Sequence, residues 1–210
     1  MSTPQPAEGS TVPTSGNPPV VNVANALTCV RLLLVPVFAV ALLLEDGRSV
    51  GWRLTAFAVF AVAALTDRLD GQLARKRGLV TSFGELVDPI ADKALMGAAL
   101  IGLSLLELLP WWVTLVILGR ELAVTVLRFV VIRTRGVIPA SRGGKAKTVA
   151  QSVAIGLFVL PLAMLFPPAA TVAEVVQWTI MGIALLLTVA TGVDYFVKAF
   201  RSSGGEQQVS

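Results

Sequence analysis

Four aspartates stand between two apolar runs of bilayer length, and that combination restricts the fold more than any other feature of the chain. Residues 66–93 read TDRLDGQLARKRGLVTSFGELVDPIADK and contain Asp67, Asp70, Asp88 and Asp92. On a helix, the spacing of three between Asp67 and Asp70, and of four between Asp88 and Asp92, puts each pair on one face. Two such faces meeting across a turn would gather four carboxylates. One Asp at the centre of a membrane helix costs roughly 2.5–3.5 kcal/mol on the insertion scale. Four like charges packed together cost more. Divalent cations resolve the conflict: all-oxygen ligation favours Mg²⁺ or Mn²⁺, and a carboxylate-held pair of metals suits phosphoryl transfer.

Composition supports the membrane setting. The 210 residues are 55% hydrophobic and 14% charged, with mean hydropathy +0.77, too apolar for a soluble domain. The length fits a single bundle domain. Histidine is absent and Cys29 is the only cysteine. That excludes His/Cys zinc sites, Ser-His-Asp triads, phosphohistidine chemistry and an intrachain disulfide. Cys29 reads as a small apolar residue of a first membrane helix. Residues 1–20 are rich in Pro, Ser, Thr and Gly, as in a disordered tail, and lack the basic start of a cleaved signal peptide. The membrane domain is expected over 21–201, with a short disordered tail over 202–210.

The expected fold is all-α, a bundle of six transmembrane helices. The apolar segments cover about 23–44 (where Pro36 can kink the helix), 53–70, 85–106, 110–133, 147–166 and 172–200. Each can cross roughly 30 Å of hydrocarbon. Trp111 and Trp112 suit an interface, and Pro167-Pro168 closes the fifth segment. Basic residues cluster in two connections (Arg75, Lys76, Arg77; then Arg133, Arg135, Arg142, Lys145, Lys147) and at the end (Lys198, Arg201). The opposite side has only Arg48 and Arg53. The positive-inside rule therefore places the basic connections and both termini in the cytoplasm. Asp67 lies fourteen residues from Arg53, and Asp92 fifteen from Glu107. At 1.5 Å per residue both are about 21–23 Å from the far surface, so the two pairs share one depth.

The stretch reads D-x2-D-G-x2-A-R-x8-G-x3-D-x3-D from Asp67 to Asp92. Gly71, next to an acid, leaves room for a bulky substrate, and Ala74 keeps that face open one turn later. Arg75 can fork onto a pyrophosphate at the membrane surface. Gly84 lets the third helix start close to the second. Taken singly, the small residues also suit plain helix packing. All eight defined positions match the signature of the CDP-alcohol phosphatidyltransferase family, which this chain resembles over about residues 22–155. The resemblance implies a CDP-linked lipid whose pyrophosphate is bridged by two metal ions held by Asp67, Asp70, Asp88 and Asp92. An alcohol attacks the lipid-side phosphorus and CMP leaves. By motif position Asp92 is also the general base. Asn25, Thr28, Gly71, Ala74, Arg75 and Thr81 fall where relatives contact the CDP-diacylglycerol.

Two further stretches bear on the acceptor alcohol. Asn25, Thr28 and Arg31 recur at intervals of three along one helical stripe. Arg120 and Glu121 sit mid-segment, with Arg128 about two turns on, and an intramembrane arginine is a functional hypothesis by default. Arg120 could instead form a structural pair with Glu121 or a motif aspartate, and Lys145 and Lys147 could merely satisfy the positive-inside rule. A substrate bearing its own phosphate explains Arg31, Arg120, Arg128, Lys145 and Lys147 together. The patterns N-x2-T-x2-R, R-E…L-R and G-K-x-K-T-x2-Q resemble the branch of the family that uses glycerol 3-phosphate. The cardiolipin-forming and inositol-phosphate branches remain alternatives, since acceptor choice can turn on a few contacts. The resemblance also implies a homodimer in the inner (cytoplasmic) membrane, its active site facing the cytoplasm, with the bilayer as a partner and no nucleic acid. A rival from another class is a membrane carrier for divalent cations. It explains the acids but not Gly71, Arg75 or the basic connection after the fourth segment.

Overall fold

The computed structural model describes the backbone of residues 23–77, 82–135 and 142–204, and the side chains of 26–66, 87, 89–128 and 146–198. Helices α1 (Val23–Leu43), α2 (Val50–Arg77), α3 (Ser82–Leu105), α4 (Trp111–Arg135), α5 (Arg142–Val159), α6 (Leu162–Leu165) and α7 (Ala170–Gly204) follow in order. Short 3₁₀ turns, Leu44–Gly47 and Pro167–Ala169, lie before α2 and α7. The described residues contain no strand. α1 runs unbroken through Pro36. α3 likewise holds Pro89, and it begins three residues earlier than the sequence suggests, with Gly84 inside its first turn.

One segment departs from expectation. The fifth apolar stretch is not one helix to Phe166: α5 stops at Val159, and α6 is a separate turn. Pro161 is the cause, because it has no N–H and its ring disfavours helix in the residue before it. The break strands carbonyls at the end of α5, and a stranded carbonyl buried away from water must find another donor. Gln177 of α7 donates its Nε2 to Leu157 O at 2.6 Å, the carbonyl that Pro161 would have served. Arg53 of α2 donates Nη2 to Phe158 O at 2.6 Å and Nε to Val159 O at 2.9 Å. Arg53 is therefore buried, 4% exposed, and serves as a cap.

That cap sits at one end of the molecule with the other tight turns. Arg53 Nη1 also reaches Gly47 O in the α1–α2 turn, at 3.5 Å. A Cβ built on Gly47, whose φ is +66°, would meet Leu106 of the α3–α4 turn at 2.7 Å. The turns after α1, α3 and α5 are thus neighbours, and the long helices alternate in direction.

The core lies where α1, α2, α3, α5 and α7 face one another, around Phe38, Phe60, Leu100, Ile155 and Met181. α1 packs along both α2 and α3, and α5 fits against α2, α3 and α7. Gly102 permits the approach of α1 to α3: an added Cβ would stand 2.7 Å from Leu42 Cδ2. α3 and α4 are stapled by Ser104 Oγ and Thr114 Oγ1 at 2.7 Å, with Thr114 also donating to Leu100 O at 3.2 Å. Such hydroxyl pairs suit an apolar surround better than open ends would. Outward faces are strongly apolar: Leu33, Leu115, Leu122 and Leu186 are 60–75% exposed (69%, 64%, 63% and 72%). Among the described residues two helical stretches, Ala26–Gly47 and Pro167–Lys198, are long and apolar enough to cross a membrane by length and composition.

Candidate active site

Asp92 lies on α3, nearly three turns in from Ser82, and is half-buried. Two cavities meet at it. A small one of about 30 Å³ is bounded by Arg31 of α1, Ala63 and Ala64 of α2, and Thr148 and Ser152 of α5. A larger one of about 190 Å³ lies between α3, α4 and α5, with Lys93, Glu121, Lys147 and Gln151 at its polar part and Leu100, Leu118 and Leu122 at its apolar part. Asp92, Met96 and Thr148 border both. A carboxylate therefore stands where two compartments join, with a cation bordering each.

The helical register explains which polar side chains turn inward, and of those that follow Arg31, Lys147 and Gln151 line the cavities. Thr28 and Arg31 are three apart on α1 and both are buried, at 2% and 1% exposure. Lys147 and Gln151 are four apart on α5 and buried as well, at 6% and 3%. Lys147 Nζ donates to Glu121 Oε1. Lys93 Nζ donates to Thr125 Oγ1, which in turn donates to Glu121 O at 2.6 Å, so α3 and α5 are both tied to one turn of α4.

The five basic residues expected around an acceptor phosphate are not all in one place. Arg31 and Lys147 border the cavities with Asp92. Arg120 turns toward α7: Nε donates to Thr188 O at 3.0 Å and Nη2 to Thr191 Oγ1 at 2.9 Å, while Nη1 meets Glu121 Oε1 at 3.1 Å. Arg128 stands over the Tyr195 ring of α7, 5.8 Å from its centroid. The side chain of Lys145 lies outside the described residues, as do those of Asn25, Asp67, Asp70, Gly71, Ala74, Arg75 and Asp88; Thr81 lies outside them altogether. For Asp67 and Asp70 on α2 and for Asp88 on α3 the backbone is helical.

Lys93 is not among the residues expected at the site, and Gln151 enters the sequence reading as the last position of the G-K-x-K-T-x2-Q pattern. Lys93 has a signal in the sequence, a lysine within an apolar helix beside the last motif acid, where an ionisable group marks function as it does for Arg120.

A family model for CDP-alcohol phosphatidyltransferase matches residues 21–190. The chain belongs to the CDP-alcohol phosphatidyltransferase family. A Mycobacterium tuberculosis protein named "Probable phosphatidylglycerophosphate synthase" is 55% identical over 204 residues, covering 97% of this chain and 94% of that protein. The "CDP-diacylglycerol--glycerol-3-phosphate 3-phosphatidyltransferase" of Bacillus subtilis is 39% identical over 189 residues, 84% of this chain and 94% of the relative. One of the same name from Pseudomonas fluorescens is 37% identical over 170 residues, 79% and 81% of the two chains. This CDP-alcohol phosphatidyltransferase is a membrane protein, as its family and the apolar outer faces of its helices require. Enzymes of the family generally depend on divalent metal.

Proposed function

We propose that this CDP-alcohol phosphatidyltransferase moves the phosphatidyl group from CDP-diacylglycerol to glycerol 3-phosphate, giving phosphatidylglycerophosphate and CMP. The observation that carries the reading is the position of Asp92, bordering two cavities with Arg31 on one and Lys147 on the other. The names of the relatives point to the same pair of substrates. A carrier for divalent cations would have no use for two buried cations beside its acids.

The donor set fits Mg²⁺ or Mn²⁺. Asp92 shares its small cavity with Ala63 and Ala64, and Asp67 follows Ala63 by four residues, as Asp88 precedes Asp92 by four. On helices, steps of four stay on one face, so this register supports convergence of the two pairs. Asp67, Asp70, Asp88 and Asp92 would hold two ions in hard all-oxygen ligation. When bound, such ions offset the pyrophosphate charge and stabilise the transferring phosphoryl group.

The chain's own residues then have distinct tasks. Asn25, Thr28, Gly71, Ala74, Arg75 and Thr81 seat the nucleotide lipid. Arg31 and Lys147, with Lys145 two residues before Lys147, attract the phosphate of the acceptor, and Arg120 and Arg128 of α4 brace that wall against α7. Asp92 takes the proton of the attacking hydroxyl as its oxygen bonds to the lipid-side phosphorus. The bond to the CMP phosphate breaks, and CMP carries away the electron pair. A carboxylate is a weak base for an alcohol, so positioning and electrostatics supply most of the acceleration. The inner-membrane domain spans 21–201 as six crossings, α1, α2, α3, α4, α5 with α6, and α7, with short tails over 1–20 and 202–210. Both termini and the acid end face the cytoplasm, and the protein works as a homodimer.

The test is CMP release by the purified protein with each acceptor in turn. Glycerol 3-phosphate should support turnover, which EDTA abolishes and added Mg²⁺ or Mn²⁺ restores. Turnover with an inositol phosphate or phosphatidylglycerol but not glycerol 3-phosphate would replace the acceptor. Metal flux into proteoliposomes without CMP would replace the whole reading.

A further inference from the structure

Among the described residues helix α7 contributes none to either cavity at Asp92, yet it is connected to one of them by consecutive polar contacts. Thr188 O and Thr191 Oγ1 of α7 accept from Arg120 Nε and Nη2. Arg120 Nη1 meets Glu121 Oε1. The same Oε1 accepts from Lys147 Nζ, in the wall of the larger cavity. α7 is also shaped for the arginine: a Cβ on Gly192 would stand 3.1 Å from both Cγ and Nε of Arg120. The side chains of Arg120, Glu121 and Lys147 are 15%, 25% and 8% exposed, so these are part-buried charges and not a solvated surface pair.

We infer that Glu121 is a positioning residue for the acceptor phosphate, holding the Lys147 ammonium toward the larger cavity, with Arg120 and α7 fixing Glu121 in turn. This deepens the functional reading above and rests on it. The charge arrangement is suited to the task. A carboxylate alone beside the cavity would repel an anionic acceptor, and a lysine alone would be free to choose among rotamers. With Arg120 behind it, Glu121 is offset, and the three groups sum to one positive charge presented at the cavity. An ammonium has three donors, and Glu121 takes one of them. The remaining pair can meet phosphate oxygens. Geometry of this kind cuts the ordering cost of binding.

The experiment uses the full chain in nanodiscs and four proteins: wild type, Glu121→Gln, Lys147→Met and the double variant. Glu121→Gln keeps the shape and an acceptor oxygen but removes the charge. It should raise the KM for glycerol 3-phosphate about tenfold, the scale of coupling within one salt-bridge network, and leave the KM for CDP-diacylglycerol within about twofold. On a Lys147→Met background the same change should shift the acceptor KM less than about twofold, because the group it positions has gone. Equal rises in both KM values, or full additivity in the double variant, would overturn the assignment. If wild type releases no CMP with glycerol 3-phosphate, the acceptor reading falls, and the cycle is run with whichever acceptor supports turnover. Gly192→Leu gives a readout that needs no turnover and keeps the proposal testable if Glu121→Gln does not fold. A Cβ alone stands 3.1 Å from Cγ and Nε of Arg120, so the longer leucine side chain fills the space of the arginine stem. By displacing Arg120 from α7 it should increase, several-fold, the rate at which acetic anhydride modifies Lys147, read by mass spectrometry. An unchanged rate would mean that α7 does not hold the ammonium.

Discussion

In the proposed reaction Asp92 is the residue on which the chemistry turns, and its surroundings say how its loss should appear. It borders both cavities, so the isosteric Asp92→Asn keeps their walls while removing the proton acceptor and a negative charge. General-base groups contribute about 10²–10⁴-fold, and turnover should fall by that order or more. Binding of CDP-diacylglycerol, followed by equilibrium dialysis with a labelled lipid, should remain measurable because three other motif acids and Arg75 are intact. Near-normal turnover would remove Asp92 from the role of base. Direct attack also requires inversion at phosphorus. Retention would instead demand a phosphoryl-enzyme intermediate.

The break at Pro161 gives α5 a dependence on α2 that no pattern of apolar residues announces. Arg53 serves Phe158 O and Val159 O with two prongs of one planar fork, a task that the single ammonium of lysine performs poorly. Arg53→Met should leave these buried carbonyls unserved, at about 1–3 kcal/mol for each lost partner, and lower the unfolding midpoint in detergent. Arg53→Lys should recover only part of it; full recovery would show that charge and not the fork is what matters. The sequence shows Arg53 as an apolar segment's flanking charge, which is how a topology rule counts it. Only the three-dimensional neighbours reveal a cap, since its partners are more than a hundred residues away. α4 was more legible than it first looked. Val113, Ile117, Arg120, Val124 and Arg128 follow steps of four, three, four and four, one stripe that includes the buried Val113, Ile117 and Val124. Both arginines on that stripe meet α7. Leu118, Glu121 and Leu122 occupy the adjoining face and line the cavity. Reading the stripe, and not the charge alone, separates the two arginines from the acid beside them. The spacing of the motif acids is plain in the sequence, and among them the described side chains include Asp92; the three-residue interval of Thr28 and Arg31 is equally plain, and both are buried on α1.

The whole molecule carries an asymmetry between its ends that a labelling experiment can read. At one end the turns after α1, α3 and α5 are drawn together through Gly47, Leu106 and Arg53. That end is poor in lysine and arginine once Arg53 is withdrawn into the cap, leaving Arg48 as its flanking charge. The other end receives Arg75, Lys76, Arg77 and the five basic residues from Arg133 to Lys147. Even with Arg53 counted, the excess of Lys and Arg at the other end sets the orientation. In a Cys29→Ser background, single cysteines at Ser49 and Leu108 should react with a membrane-impermeant maleimide only from outside the cell. Cysteines at Ser141 and Ser203 should react only in inverted vesicles. Ser49 and Ser141 reacting from the same face would refute a six-crossing bundle with its acids on the cytoplasmic side. If the alternation holds, Asp92 lies fourteen residues, about 21 Å along α3, from Leu106 at the outer end. A water-soluble acceptor would then reach it from the cytoplasm, while a diacyl lipid could approach sideways from the inner leaflet. The two substrates differ in the phase they come from, and a carboxylate shared by two cavities near that boundary is where they can meet.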